Sequence, residues 1–225
     1  MTEWAPGRGL PRWAEAPIAG LTLVALTPIL TLIAVAIRAT SPGPALFRQQ
    51  RVGRGGRPFT LVKFRTMRTD SGGPQVTAAG DPRITPIGRI LRRTKLDELP
   101  ELWNVLVGDM AFVGPRPEVP EAVDLDAEPW RRVLSARPGV TDPVTLRLRN
   151  EEALIATVPE TDRTAFYRDM LQPWKLRGYV DYLERRTPWS DVGVLVATIG
   201  AIVVPSSAMA PSMDDLRAAD ESTGR

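Results

Sequence analysis

The sequence predicts an α+β protein, mostly helical, that lies on one side of a membrane: a monotopic membrane protein with an N-terminal re-entrant helix, a small β-hairpin and amphipathic interfacial helices. Three observations carry this. The stretch from Ala16 to Ile37 is uncharged and apolar, and a bilayer-crossing helix needs about 20 such residues. Two short strand-like runs flank Gly53-Arg54-Gly55-Gly56. Apolar residues then recur at helical spacing from Thr85 to Gly108, and again from Leu176 to Leu183.

The first run reads APIAGLTLVALTPILTLIAVAI. A cleaved signal peptide fits poorly, because Arg38 follows at once and no small-residue cleavage site opens onto a neutral start. A buried core helix and a kinked span both compete with a re-entrant anchor. Pro28 sits mid-run, where its ring and missing N–H should break or kink the helix, with Thr22, Thr27 and Thr31 nearby to serve freed backbone groups. Arg8 and Arg12 flank one side and a cationic block the other, so the positive-inside rule keeps both flanks cytoplasmic, although Glu3 and Glu15 weaken the first signal. A helix that enters the bilayer, bends at Pro28 and returns satisfies both constraints.

Ser41-Pro42-Gly43-Pro44 makes a rigid exit, and ALFRQQRV and RPFTLVKF form the hairpin. Strand alternation puts Val62 and Phe64 on one face and Lys63 and Arg65 on the other. That second face is either a solvated basic surface or two cations aimed at a phosphate. A loop rich in Gly, Thr and Pro follows, from about Thr69 to Arg83. Thr85 caps the next helix with Pro86 at its first position, and Ile87, Ile90, Leu91 and Thr94 form its inward stripe. Asp97 has the look of the following N-cap. Glu98 and Pro100 occupy the first turn, Leu99, Leu102, Trp103 and Leu106 the apolar face, and Gly108 the end. Farther on, Leu176, Tyr179, Val180 and Leu183 make an amphipathic helix for a membrane surface or for the core. The apolar run from Val192 to Val204 is too short to cross a bilayer.

Composition narrows the chemistry. The 225-residue chain has no Cys and no His, which excludes thiolate nucleophiles, zinc sites of the usual ligand sets and Ser-His-Asp triads. Any metal would be held by oxygens, which favours Mg²⁺, Mn²⁺ or Ca²⁺. The net charge is +3, but Arg38, Arg48, Arg51, Arg54, Arg57, Lys63, Arg65 and Arg68 form a block without a single acid. Such a block suits phosphates, anionic lipids or nucleic acid. Nucleic acid is disfavoured, since no binding motif appears and aromatics are few there.

Asp97 and Glu98 stand among Arg92, Arg93 and Lys95, upstream of a stiff Pro115-Arg116-Pro117 corner. Helix capping alone explains one acid, and acids at helix starts are common. It does not explain the second acid, the upstream cations or the corner. A helix N-terminus beside arginines is an anion site, and carboxylates within it, with Mg²⁺, could attack a phosphorus whose charge the arginines neutralise.

The runs SPGPALFRQQRVGRGGRPFTLVKFRTM and DPRITPIGRILRRTKLDELPELWNVLVGDMAFVGPRPE resemble the bacterial sugar transferases, small monotopic polyprenyl-phosphate phosphoglycosyl transferases. The likeness is dense from Ser41 to Glu118 and weaker through ARPGVT and the C-terminal helices. It implies transfer of a sugar-1-phosphate from a nucleotide sugar, usually a UDP-sugar, to polyprenyl phosphate at the cytoplasmic membrane face. It further implies Asp97 as the nucleophile of a covalent phosphosugar intermediate, Glu98 as its helper, and Mg²⁺ held by Asp97 and Glu98. Lys63 and Arg92 match family cations near the phosphates, Arg116 the nucleotide-associated Pro-Arg-Pro, and Arg137 the Arg-Pro-Gly turn; Arg65 is carried as a further phosphate cation. The resulting organisation is a membrane-associated segment 1–42, a catalytic domain 43–205 and a disordered tail 206–225, with anionic lipids as further partners and an oligomer left open. One departure stands out: the chain continues RPGVTDPVTLRLRN, without the family's more usual segment there, which leaves the sugar undetermined. In it Glu151 and Glu152 read as a helix start. The rival reading is a basic membrane-attached scaffold without catalysis.

Overall fold

A computed structural model describes residues 5–69 and 77–203. Helix α1, Arg12–Thr40, continues through Pro17 and Pro28. Pro28 removes the N–H that would bond the Val24 carbonyl, which is why the sequence predicts a break there. The hydroxyls of Thr27 and Thr31 bond the carbonyls of Leu23 and Thr27 at 2.9 and 2.8 Å, back-bonding that bends helices without ending them. Its most apolar window has a mean hydropathy of 2.3, which by length and composition suffices to cross a bilayer.

Both ends of α1 are nevertheless tied to the same body. At the start, Glu15 is 1% exposed, accepts the Phe112 N–H at 3.0 Å and pairs with Arg137. Arg12 donates to the carbonyls of Val105 and Leu106. At the far end Ile33 and Ile37 pack on Ala45, Phe64 and Leu91. Between these anchorages no residue from 21 to 32 is buried, and Leu21, Val24 and Leu32 are about as exposed as side chains become in a helix (72, 73 and 69%).

Strands β1, Leu46–Val52, and β2, Pro58–Phe64, form the expected antiparallel hairpin, with Val52 opposite Pro58 and Leu46 opposite Phe64. It is covered on both faces. Phe59 and Leu61 pack with Ala19, Val105 and Met110, while Phe64 packs with Ile33 and Ile37 of the later part of α1 and with Leu91. The face carrying Lys63 therefore points into the protein and is no solvated basic surface. Asn104 bonds the Val62 N–H at 3.1 Å and the Thr60 carbonyl at 2.8 Å, and so extends β2's hydrogen bonding with a side chain.

Helix α2, Pro86–Thr94, is capped as expected: the Thr85 hydroxyl accepts the Gly88 N–H at 3.0 Å. The inward stripe differs in one respect. Gly88 lies so close to Thr66 that a Cβ would sit 2.0 Å from its carbonyl oxygen, and this approach rotates Ile90 outward (62% exposed) while Leu91 stays buried. Lys95 closes α2 in the left-handed region at φ 59°, among the described residues the one non-glycine there. A tight 3₁₀ turn, Leu96–Glu101, follows, and helix α3 spans Leu102–Val107. The α-helix thus starts after Asp97, and Pro100, inside the 3₁₀ turn, leaves no backbone N–H three residues after Asp97 for it to cap. Leu102 and Val105 are buried, but Trp103 faces out; Gly108 ends α3 at φ 100°.

Strands β3, Ala111–Val113, and β4, Gly139–Thr141, pair in parallel, with Gly114 and Gly139 in backbone contact that a Cβ on either would block. Three-residue strands carry no readable alternation. The rest is helical: α4 Glu128–Leu134, α5 Pro143–Arg147, α6 Glu151–Ala156, α7 Arg163–Phe166, a π-turn Tyr167–Leu171 leading into α8 Gln172–Arg185, and α9 Pro188–Val203. The departing segment is structural: fully buried Asp142 caps α5 by accepting from Thr145 N at 2.8 Å. Helix α8 buries Tyr179 and Leu183 against the core, with Trp130, Val133 and Val144 nearby, instead of lying on a surface. Helix α9 exposes Val196 and Ile199. The tail 206–225 and part of the Gly-rich loop lie outside the described residues.

Replacing Arg137 with Met leaves Glu15 buried without its cation, a change that costs about 3–5 kcal/mol in comparable pairs. A melting temperature several degrees lower, partly restored by a further Glu15→Gln, is the expected outcome of thermal unfolding in detergent.

Candidate active site

The 3₁₀ turn, the end of α2, strand β2 and the Pro115-Arg116-Pro117 corner converge. The Arg116 guanidinium donates to Glu98 Oε1 at 2.7 Å, and Lys95 lies 3.9 Å from the same oxygen. Burial pushes the Glu98 carboxyl up, but Arg116 and Lys95 more than offset it and leave it below its ordinary value. The same attraction raises Arg116, which stays charged.

Asp97 is buried and caps nothing. Burial, then the charge of Glu98, raises its carboxyl, while Lys63, Lys95 and Arg92 pull it back. Such a carboxylate is more basic, hence more nucleophilic, than an exposed one. Among the described residues its buried Oδ1 has no hydrogen-bond partner. Glu101 Oε1 and Arg92 Nη1 are in the same condition. Buried polar atoms are nearly always satisfied, so three orphans around one turn call for a ligand.

Lys63 faces this group across β2; burial and the charges of Arg116 and Arg51 lower its ammonium, and Glu101 and Asp97 hold it up. Arg92 gives Nη2 to Glu152 at 2.9 Å. Glu152 and its neighbour Glu151, which lies 3.6 Å from Lys175, are thus engaged in ion pairs at the start of α6.

Five candidates, Asp97, Glu98, Lys63, Arg92 and Arg116, come together here. Two do not. Arg65 is 4% exposed and donates to the carbonyls of Ser41 and Pro42, clamping the exit of α1. Arg137 holds Glu15 and the Met110 carbonyl, at 2.9 Å for the latter. Both cations are engaged by backbone and ion-pair partners that only the folded chain brings near them, although the buried Arg65 Nε has no partner among the described residues.

Sequence reasoning misses Glu101. It is fully buried, and burial, Glu98 and Asp97 push it up to about 8 against the pull of Arg116 and Lys63. Its only sequence signal is a third acid four residues after Asp97. Asn104, which docks β2 on α3, is missed as well, being a lone polar residue on an apolar helix face.

Among the described residues no group of three or more acids is arranged to hold a metal. Mg²⁺ does not require one, since it commonly keeps waters and takes one or two carboxylates plus substrate phosphates. The unpartnered oxygen of Asp97, beside Glu98, fits that mode.

A sequence model of the family described as bacterial sugar transferase matches residues 8–205. The chain belongs to the bacterial sugar transferases. A UDP-glucose:undecaprenyl-phosphate glucose-1-phosphate transferase of Caulobacter vibrioides is 37% identical over 217 residues, which cover 90% of this transferase and 76% of the relative. An Escherichia coli protein of the same name is 47% identical over 112 residues, 49% of this chain and 24% of that one. A UDP-N-acetylgalactosamine-undecaprenyl-phosphate N-acetylgalactosaminephosphotransferase of Aeromonas hydrophila is 45% identical over 100 residues, 44% of this chain and 24% of that one. The transferase therefore spans most of the first relative and about a quarter of the other two. Its relatives carry different sugars in their names.

The titration of Glu101 has a readable consequence. An acid whose folded value is raised stabilises the fold below its unfolded value, near 4.5, and loses that contribution as pH climbs through about 8. Glu101→Gln, which mimics the protonated form, should match the parent in melting temperature near pH 5 and exceed it increasingly up to pH 9, measured in EDTA by tryptophan fluorescence.

Proposed function

We propose that this transferase moves a sugar-1-phosphate from a UDP-sugar to a polyprenyl phosphate, through a covalent intermediate on Asp97. The observation that carries the reading is the buried, unpartnered Asp97 oxygen, set in a turn ringed by Lys63, Lys95, Arg92 and the Arg116–Glu98 pair. The relatives' names support the substrate classes.

In the first step an Asp97 oxygen attacks the sugar-bearing phosphorus of the donor. The bond from that phosphorus to the bridging oxygen breaks, and UMP departs with the oxygen and its electron pair. In the second step a phosphate oxygen of the lipid attacks the same phosphorus, giving the polyprenyl-diphosphate sugar and returning the Asp97 carboxylate. No base is needed for the first attack, because an ionised carboxylate carries no proton to lose, and two steps let a soluble donor and a lipid acceptor use one centre in turn. Arg92 and Lys63 neutralise the phosphates. Arg116 receives the nucleotide end while it keeps Glu98 oriented toward the acceptor. Glu101, holding its proton, adds no further negative charge beside the diphosphate. Asp97 and Glu98 would hold Mg²⁺, which would supply Lewis-acid polarisation of the phosphoryl oxygens.

The membrane arrangement belongs to the same reading. Helix α1 is about 43 Å long at 1.5 Å per residue, its two ends grip one body, and its bare middle is apolar. That supports a re-entrant anchor in the bacterial inner membrane with the catalytic domain on the cytoplasmic face.

With Mg²⁺, a panel of UDP-sugars and polyprenyl phosphate in detergent, one or more sugars should release UMP. Asp97→Asn should lower that release on the order of a thousandfold or more while the protein stays folded, as loss of a nucleophile does elsewhere. Mass spectrometry of donor-treated enzyme without acceptor should show the phosphosugar on the Asp97 peptide; an unmodified peptide would remove Asp97 from the role. Because the chain has no Cys, Ala5→Cys and Arg57→Cys give clean single labels. Both should react only from the cytoplasmic side, and periplasmic access at position 5 would mean a spanning helix.

A further inference from the structure

Away from the Asp97 turn, a cavity of about 260 Å³ opens between the segment before α1, the hairpin tip and the junction of α8 with α9. Four arginines line it, Arg8, Arg54, Arg137 and Arg186, and among the described residues no carboxylate does. One water claims about 30 Å³ of liquid volume, so the space suits something larger. Two of the four guanidiniums are held from behind, Arg137 by Glu15 and Arg186 by Asp191 at 2.8 Å. Among the described residues neither Arg8 nor Arg54 has an ion-pair partner, so the lining keeps uncompensated positive charge.

The cavity wall is built, not frayed. Gly7 donates to the Leu183 carbonyl at 2.7 Å and Leu10 to the Asp191 carboxylate at 2.8 Å. Gly7 and Gly9 press so closely on Arg186 that a Cβ on either would sit 2.2 Å from it. The same lacing starts α1 and α9 side by side, and each carries a tryptophan in its first turn: Trp13 is 79% exposed and Trp189 82%. Exposed tryptophans at the foot of two apolar helices, with Val196 and Ile199 bare farther along α9, are the signature of a membrane interface. The arginines thus lie where lipid phosphates lie.

We infer that this arginine-lined cavity binds the phosphate of an anionic phospholipid headgroup, at a site separate from the transfer centre. The inference rests on the membrane placement proposed above. Chemically the site recognises a phosphate monoanion or diester; the two flanking tryptophans favour a lipid over a free anion as its source. Occupied, it would fix the start of α1 at headgroup depth.

The test uses the full chain in neutral detergent with equal amounts of phosphatidylglycerol and phosphatidylcholine of matched chains, read by native mass spectrometry. One phosphatidylglycerol should be retained in preference. Arg8→Gln with Arg54→Gln should reduce that preference about tenfold or more, at roughly 1 kcal/mol per interfacial arginine, with UMP release unchanged. The paired Lys replacements, which keep the charge, should retain it. Equal retention of the two lipids, or a preference indifferent to the double Gln change, overturns the inference. Displacement of the lipid by millimolar inorganic phosphate or UMP overturns the lipid assignment in favour of a free anion. The labelling of positions 5 and 57 is read separately, so a failed membrane placement is distinguishable from a failed lipid site.

Discussion

Pro100 is the constraint on which the site depends. It lies inside the 3₁₀ turn that joins α2 to α3, and the α-helix begins only at Leu102. A capping acid bonds the backbone N–H groups two and three residues on, but the residue three on from Asp97 is Pro100, which has no N–H to give. Asp97 keeps an oxygen that nothing in the described chain satisfies. Lys95, in the left-handed region immediately before, is a cost of the same geometry; left-handed backbone disfavours a residue with a Cβ by about 1–2 kcal/mol.

Around that turn the charges are nearly balanced, and the balance divides three carboxyls by role. Glu98, paired with Arg116, stays ionised; Glu101, sealed beneath without a direct cation, keeps its proton; Asp97 lies between, raised but faced by three cations. Different neighbours, not different chemistry, separate them. The Arg116 corner is itself supported from below. Arg51 bonds the Pro117 carbonyl at 3.0 Å, and the next residue, Glu118, accepts from Tyr167 at 2.6 Å and Lys175 at 3.0 Å. The core helices thereby set where the corner stands.

Helix α1, apolar and bare along its middle, is packed into the body at both ends. Glu15 and Arg12 hold its start, Ile33, Ile37 and the Arg65 clamp its end, and Ala19 enters the same cluster as Val105 of α3. Since α3 follows directly from the 3₁₀ turn, α1 and the Asp97 turn are coupled by two elements in contact. On the proposed reading, that contact would hold chemistry on a soluble donor beside a lipid phase.

Much was legible in the chain itself. The apolar run, the glycine-centred hairpin, the Thr85-Pro86 cap, the stop at Gly108 and the dense charge motif are local patterns, and local backbone and side-chain preferences decide them. Sequence could not say which arginines would be consumed inside the fold. Arg65 and Arg137 have the same chemistry as Arg92 and Arg116; they differ only in meeting the Ser41 and Pro42 carbonyls and Glu15, partners distant along the chain. The burial that raises Glu101, the three-residue parallel pair and the inward turn of Lys63 were likewise decided by tertiary packing, because the energy of a buried charge is set by what surrounds it and not by its neighbours in sequence.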